Sequence, residues 1–170
     1  SSAASDVYKR QQLWYAKALL KQGGGENQSK AKRALTLAIH HNPNNVEALG
    51  LLGEMTSWEK GGRSQSIGLL RKALSVGTSK TLPIKRRNEL TRILVNQLNW
   101  NNQPIEALHY SEKIAKAYAK DPRWMATHAN LLVQNDHLDK AIGFYETPVL
   151  KKAMVKSPGI MVDYAYALQK

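Results

Sequence analysis

Apolar residues recur at offsets of three and four along residues 28–45, which is the spacing of one face of an α-helix. Most side chains on this face are small: Ala31, Ala34, Leu35, Ala38 and Ile39. A face of small side chains lets another helix pack at a short distance. The helix should end at Asn42, because Pro43 disfavours helical geometry in the residue before it. The asparagines that follow suit a turn and the next N-cap.

The same pattern restarts along the chain and predicts further helices, each bounded by turn residues. A first helix with Asp6 as its N-cap should run to Gln22 and end at the three glycines of residues 23–25. The other helices predicted in the first half span residues 29–41, 46–58 and 64–76, followed by a loop at residues 77–83.

Prolines and asparagines divide the second half in the same way. Pro104 suits the first position of a helix that should continue to Asp121. Pro148 lies inside an apolar helical pattern and should kink or split that helix near Thr147. The remaining helices are predicted around residues 90–98, 124–132 and 160–168, and the helix that contains Pro148 should begin near Leu138 and end before Ser157.

Composition indicates an all-α protein. The 170 residues are 42% hydrophobic and 22% charged, which is typical of a folded globular chain, and the sequence shows little strand-like alternation. No apolar run reaches the roughly 18 to 20 residues that a membrane span needs. Cysteine is absent from the sequence, which excludes disulfides and thiolate metal sites but leaves the compartment open.

One position recurs at nearly constant spacing. Ala31, Ser66, Ala107 and Ala141 occupy the same place in four successive units, 35, 41 and 34 residues apart. A single pair of helices cannot bury its apolar faces alone, so such units are expected to stack on their neighbours.

This pattern resembles the tetratricopeptide repeat (TPR), a helix–turn–helix unit with small residues where the helices touch and a proline at the unit boundary. The matching residues are Ala38, Ala73 and Ala153 late in second helices, Gly53 and Ala129 in first helices, and Pro43, Pro122 and Pro158 at boundaries. The resemblance implies a TPR-like α-solenoid, a right-handed superhelix of about four antiparallel helix pairs plus one terminal helix. It also implies one domain over residues 1–170, with units near residues 6–43, 44–78, 83–121 and 122–158 and a partial unit at residues 159–170.

In TPR arrays the first helix of each unit lines the concave side, which usually binds an extended or helical peptide. The resemblance places nine residues in this groove: Arg10, Lys17, Glu54, Trp58, Arg92, Asn96, Trp100, Asn130 and Gln134. Asparagine amides can both donate to and accept from a peptide backbone. The equivalent residues Trp58 and Trp100 could anchor a ligand or could pack over the turns beside them.

Some TPR proteins clamp a C-terminal carboxylate with lysines, an arginine and asparagines, a set that this chain lacks. The helix at residues 46–58 contains no asparagine, and Glu54 would repel a carboxylate. The predicted function is therefore a protein-interaction scaffold for a different peptide or protein segment, without catalysis.

The net charge of +12 suggests an alternative function. Residues 1–120 hold 19 Lys and Arg against 8 Asp and Glu, with basic clusters at residues 30–33 and 85–87. Such clusters are either solvated surface or sites for an acidic partner, so an anion-binding module for nucleic acid or acidic polysaccharide remains the alternative.

Catalytic and cofactor motifs are weak, so no cofactor or metal is predicted. The glycines at residues 23–25 lack the Lys-Ser/Thr of a phosphate-binding loop, and the five histidines lack metal spacing. His128 falls on a core position and is expected to be a hydrogen-bonded interior residue. The last helix has no partner, which favours a segment cut from a longer array, although this helix could instead cap the end of the array. Self-association through that helix is a third functional option.

Overall fold

The computed structural model describes residues 2–170, with the side chains of Val7 and residues 11–170. This part of the chain forms ten helices: α1 (Ser2–Gln22), α2 (Gly25–His41), α3 (Val46–Ser57), α4 (Arg63–Val76), α5 (Ile84–Trp100), α6 (Pro104–Ile114), α7 (Pro122–Gln134), α8 (Leu138–Tyr145), α9 (Pro148–Met154) and α10 (Pro158–Gln169). These described residues contain no β-strand, so the all-α prediction is confirmed.

The chain divides into two compact units, Ser1–Ile93 and Leu94–Lys170, and the division falls within α5. In the first unit α1 packs on α2, α2 on α3, and α3 on α4. In the second unit α6 packs on α7, α7 on α8, and α10 on α8 and α9. Within each unit the helices therefore pack in chain order, as the repeat pattern predicted.

The recurring small residues form the helix contacts. Ala31, Ser66, Ala107 and Ala141 are all 0% exposed, so each lies in the core as a helix-contact residue should. Ser66 can occupy this apolar position because its hydroxyl donates a hydrogen bond to the carbonyl oxygen of Gly53 at 2.7 Å.

Gly53 lets α3 and α4 approach closely. A Cβ atom added to this residue would lie 2.8 Å from Cδ2 of Leu70 and 3.3 Å from Cβ of Leu69. Leu70 is 0% exposed and has little room to move away. The absence of a side chain at residue 53 is therefore a packing requirement.

The turns between paired helices use residues with positive φ. Gly61 has φ 81° in the turn after α3, Asn102 has φ 56° after α5, and Asp136 has φ 59° after α7. Glycine adopts this left-handed geometry freely, and asparagine and aspartate are the residues that tolerate it next best.

Two predicted helix starts are wrong. α1 begins at Ser2 and not at Asp6, since the alanines before Asp6 are strong helix formers that extend the helix. α2 begins at Gly25 and not at Ser29, since only Gly23 and Gly24 take the positive φ values, 73° and 90°, that make the turn.

The predicted extension of α6 to Asp121 is also wrong, because α6 ends at Ile114. Residues 115–120 form turns instead, and the amide of Ala115 bonds to the carbonyl of Glu112, three residues back. The Tyr118 ring packs on Trp124, with ring centroids 5.7 Å apart. This aromatic contact accompanies the change from helix to turn.

Other local predictions are confirmed. The Asn45 side chain accepts a hydrogen bond from the Ala48 amide at 3.1 Å and so caps α3. Pro104 is the first residue of α6. Near Pro148 the predicted single helix is split into α8 and α9, and Thr147 is the N-cap of α9.

His128 is an interior residue, as predicted. It is 4% exposed, and its Nδ1 lies 2.6 Å from the Oγ of Ser111, which is 0% exposed. Burial lowers the pKa of His128 from its ordinary value of 6.5, and the charge of Glu112 partly opposes this effect. The imidazole is therefore neutral at pH 7.

We expect Gly53→Ala to lower the free energy of unfolding by about 1–3 kcal/mol, because the new Cβ overlaps the buried Leu70. Gly68→Ala is the matched control: Gly68 is an exposed residue of α4 whose added Cβ meets nothing within 4 Å. In this control the free energy of unfolding should rise by about 0.5–1 kcal/mol, because alanine has a higher helix propensity than glycine. Denaturant melts measure both variants, and equal gains in both would contradict the packing argument.

Acid should destabilise the protein through His128. As the pH falls through 6.5, the unfolded chain takes up a proton that the buried imidazole resists, so the free energy of unfolding falls. In His128→Asn this fall should be shallower over about pH 7.5 to 5.5, whereas His109→Gln, at an exposed position of α6, should keep the wild-type slope. Denaturant melts across this pH range measure the slopes, and a wild-type slope in His128→Asn would refute the assignment.

Candidate functional site

In the first unit, ion pairs join the first helices of successive pairs. Lys17 of α1 contacts Glu47 of α3 at 2.6 Å, and Glu54 of α3 contacts Arg86 of α5 at 2.5 Å. Arg86 also reaches Glu89 at 3.2 Å. Two predicted groove residues, Lys17 and Glu54, are therefore already paired within the protein.

The carboxylates of Glu54 and Glu89 stabilise the protonated form of Arg86. Partial burial alone would lower the pKa of Arg86, but its contacts with Glu54 and Glu89 outweigh that effect and raise the pKa. Arg86 also compensates the negative charge of Glu54, which the sequence suggested would repel a carboxylate.

Two cavities of similar size flank α3 in the first unit. One, of about 480 Å³, lies toward the end of α1 and the start of α2, and the other, of about 510 Å³, lies toward the start of α5. Leu51 and Glu54 line both cavities. The face around α3 is therefore a recessed surface rather than a flat one.

Trp58 borders the first of these cavities. It is the C-cap residue of α3 and is 81% exposed, so packing over the adjacent glycine turn covers little of its surface. Leu20, Leu51 and Met55 supply apolar walls to the same cavity. The structure thus places a large exposed aromatic ring next to an apolar recess.

The second unit carries amides where the first unit carries ion pairs. Gln134 of α7 donates to the Oδ1 of Asn130 at 2.5 Å and to the Oδ1 of Asn99 at 3.2 Å. Asn99 was missed from the sequence, although it lies one turn after the predicted residue Asn96. Two predicted residues, Asn130 and Gln134, therefore belong to one polar cluster.

The other four predicted groove residues lie on α1 and α5. The side chain of Arg10 lies outside the described residues. Arg92 is exposed on α5, Asn96 is half-buried on the same helix, and Trp100 is 58% exposed at its end.

Several side chains of the two basic clusters make contacts within the protein. Lys30 pairs with Glu26 at 2.7 Å, and Lys32 pairs with Glu59 at 2.5 Å. Arg87 donates to the carbonyl oxygens of Leu74 at 3.0 Å and Gly77 at 2.6 Å, at the end of α4. These bonds give the clusters a structural role that needs no acidic partner.

The described residues show neither a metal-binding cluster nor a membrane-spanning helix. No group of three or more His, Cys, Asp or Glu side chains within them could hold a metal ion. Among the helices described, none combines the length and the apolar character that crossing a membrane requires.

No protein-family profile matches the chain, and no curated protein sequence matches it. Solved structures do match. YrrB, a TPR protein with an unusual peptide-binding site, has a TM-score of 0.74 and 15% sequence identity over 92% of this chain and 74% of YrrB. PilF of Pseudomonas aeruginosa, with 16% identity over 98% of this chain and 91% of PilF, has a TM-score of 0.43, which is too low to support an argument.

The similarity to YrrB extends over nearly the whole chain, and it agrees with the helix pairs and the buried small residues described above. At 15% identity it speaks to the fold and not to the ligand. The resemblance inferred from the sequence is confirmed at this level: the chain has the fold of the tetratricopeptide-repeat family, a TPR-like α-solenoid.

Proposed function

We propose that the protein is an interaction scaffold, without catalysis of its own, that binds a peptide or protein segment along its first helices. The observation that carries the proposal is the exposed Trp58 ring beside the 480 Å³ cavity of the first unit. Large aromatic side chains at the edge of an apolar recess are common anchors of protein interfaces.

The cavity beside Trp58 suits an apolar side chain of the ligand. Leu20, Leu51 and Met55 can cover such a side chain, and Trp58 can close over it. The paired charges of Glu54 with Arg86 favour a ligand segment without a large net charge at this point.

The amides of the second unit suit the ligand backbone. Asn96 and Asn130 occupy equivalent positions on successive first helices, and each side chain can offer both a donor and an acceptor. Hydrogen bonds of this kind would hold an extended segment with little dependence on its sequence. YrrB is described as having a peptide-binding site, which supports a peptide as the class of ligand.

A carboxylate clamp is not part of the proposal. Arg86 compensates Glu54, but the pair has little net positive charge with which to capture a chain terminus. The sequence already argued against such a clamp, and we therefore expect the ligand to be an internal segment of its protein.

Anion binding remains the alternative proposal and has less support. Four of the basic side chains that suggested it, Lys30, Lys32, Arg86 and Arg87, make contacts within the protein. An anion-binding module would lose affinity steeply between about 50 and 200 mM salt, whereas an apolar anchor would not.

The exposed apolar side chains of α10 offer a surface through which two copies of the chain could associate. Met161, Val162, Tyr166 and Leu168 are between 52% and 66% exposed. Pairing of two chains through these side chains would bury apolar surface. Light scattering at high protein concentration should then detect dimers, which Val162→Lys should dissociate; a wild-type monomer would exclude this mode of pairing.

Peptides selected from a random displayed library against the wild-type protein test the groove. For such peptides we expect Trp58→Ala to weaken the binding free energy by about 2 kcal/mol, which raises Kd about 30-fold, because an aromatic anchor is lost. Asn96→Ala should cost about 1 kcal/mol through lost hydrogen bonds. Isothermal titration calorimetry measures both.

Ile105→Ala is the control, because Ile105 is 80% exposed on α6, a second helix. It should bind the selected peptides like the wild type. Unchanged affinity in the Trp58→Ala/Asn96→Ala double variant would show that the groove assignment is wrong. Displacement of the peptides by heparin, with a steep loss of affinity in salt, would favour the anion-binding alternative.

A further inference from the structure

A separate cavity of about 400 Å³ lies in the second unit, bordered by α6, α7 and α8. Leu132 and Phe144 give it apolar walls, Glu112 and Lys140 stand at its edge, and His128 lines its interior. The cavity lies on the side of the second helices α6 and α8, whereas the proposed peptide site follows the first helices. No residue that lines it belongs to the predicted groove.

His128 gives this cavity a defined hydrogen-bond donor. The Ser111 hydroxyl is fully buried and lies 2.6 Å from Nδ1 of His128, which is the contact that satisfies it. Among the described residues the Ser111 hydroxyl has no other acceptor, so we assign it as the donor to Nδ1, which places the imidazole proton on Nε2. His128 is 4% exposed, and the one hydrogen bond found for it in the described part of the chain uses Nδ1, so Nε2–H remains for the cavity.

The apolar walls are arranged around this donor. The Phe144 ring stands edge-to-face with the His128 ring, with ring centroids 4.8 Å apart, and Leu132 is 1% exposed. A flat apolar group can therefore lie against Phe144 and Leu132 while its polar atom reaches His128. Glu112 lines the same cavity as His128, so its carboxylate can accept a hydrogen bond from a ligand there.

We propose that this cavity binds a phenol group, whose hydroxyl accepts a hydrogen bond from Nε2–H of His128 and donates one to Glu112. The ring of the phenol packs on Leu132 and Phe144. A neutral ligand fits the site better than an ion, because Glu112 and Lys140 have opposite charges and either sign of ligand would meet one like charge.

Toluene and p-cresol differ by one hydroxyl and test the hydrogen bonds. In heteronuclear NMR titrations of the whole chain, p-cresol should cause saturable shifts at Leu132, Gly143 and Phe144. Toluene should bind about ten-fold more weakly, because it leaves Nε2–H without an acceptor. Equal binding of the two compounds, or shifts that do not saturate, would overturn the proposal.

Gly143 allows the cavity to be filled without disturbing the fold. It lines the cavity as an exposed residue of α8, and an added Cβ would meet nothing within 4 Å. Gly143→Leu should abolish p-cresol binding, whereas Gly68→Leu, at an equally open position of α4, should leave it unchanged. Wild-type binding of p-cresol by Gly143→Leu would overturn the assignment of the cavity.

A phenol can come from a free small molecule or from a tyrosine of another protein. Tighter binding of N-acetyl-tyrosine amide than of p-cresol would support a tyrosine side chain, and the reverse would support a free phenol. Trp58→Ala should bind p-cresol like the wild type, so failure of the peptide groove and failure of this cavity are distinguishable.

Discussion

Close approach between neighbouring helices is the constraint on which the rest of this structure depends. Ala31, Ser66, Ala107 and Ala141 are all fully buried at equivalent places, and Gly53 has no room for a Cβ. Helices this close bury their apolar faces with small side chains, which leaves the longer residues of the first helices to form surfaces. The candidate sites therefore lie on surfaces that this packing creates, and some of their apolar residues, such as Leu51 and Met55, also pack against the core.

The surfaces of the first helices differ between the two units. In the first unit charged side chains pair across neighbouring helices, as Lys17 does with Glu47 and Glu54 with Arg86. In the second unit Asn99, Asn130 and Gln134 form an amide cluster. Local pairing means that the net charge of +12 says little about the electrostatics of the site.

Sequence spacing predicted the fold well because the packing signal is local and repeated. A small residue every 34 to 41 positions marks the helix contacts, and the turn residues mark most helix ends. The end of α6 was predicted wrongly. Residues 115–120 have helix-forming side chains, yet they form turns, and Tyr118 in this stretch packs on Trp124. Local propensity could not show that contact.

The site was less predictable, because its contacts join residues far apart in the chain. Glu54 and Arg86 are 32 residues apart, and Gln134 and Asn99 are 35 apart, so their pairing depends on how the helices cross. The exposure of Trp58 likewise depends on what surrounds it in three dimensions. Helical periodicity gives the face of a residue, but it does not give its neighbour on another helix.

The left-handed turns at Gly61, Asn102 and Asp136 have a consequence for how such a chain can diverge. Only glycine, asparagine and aspartate occupy these points readily, so substitution there is confined to a short list of residue types. Substitutions at exposed positions away from caps and turns, by contrast, usually change stability little. Such a protein can therefore change the chemistry of its binding surface while a few turn residues keep the paired helices in place.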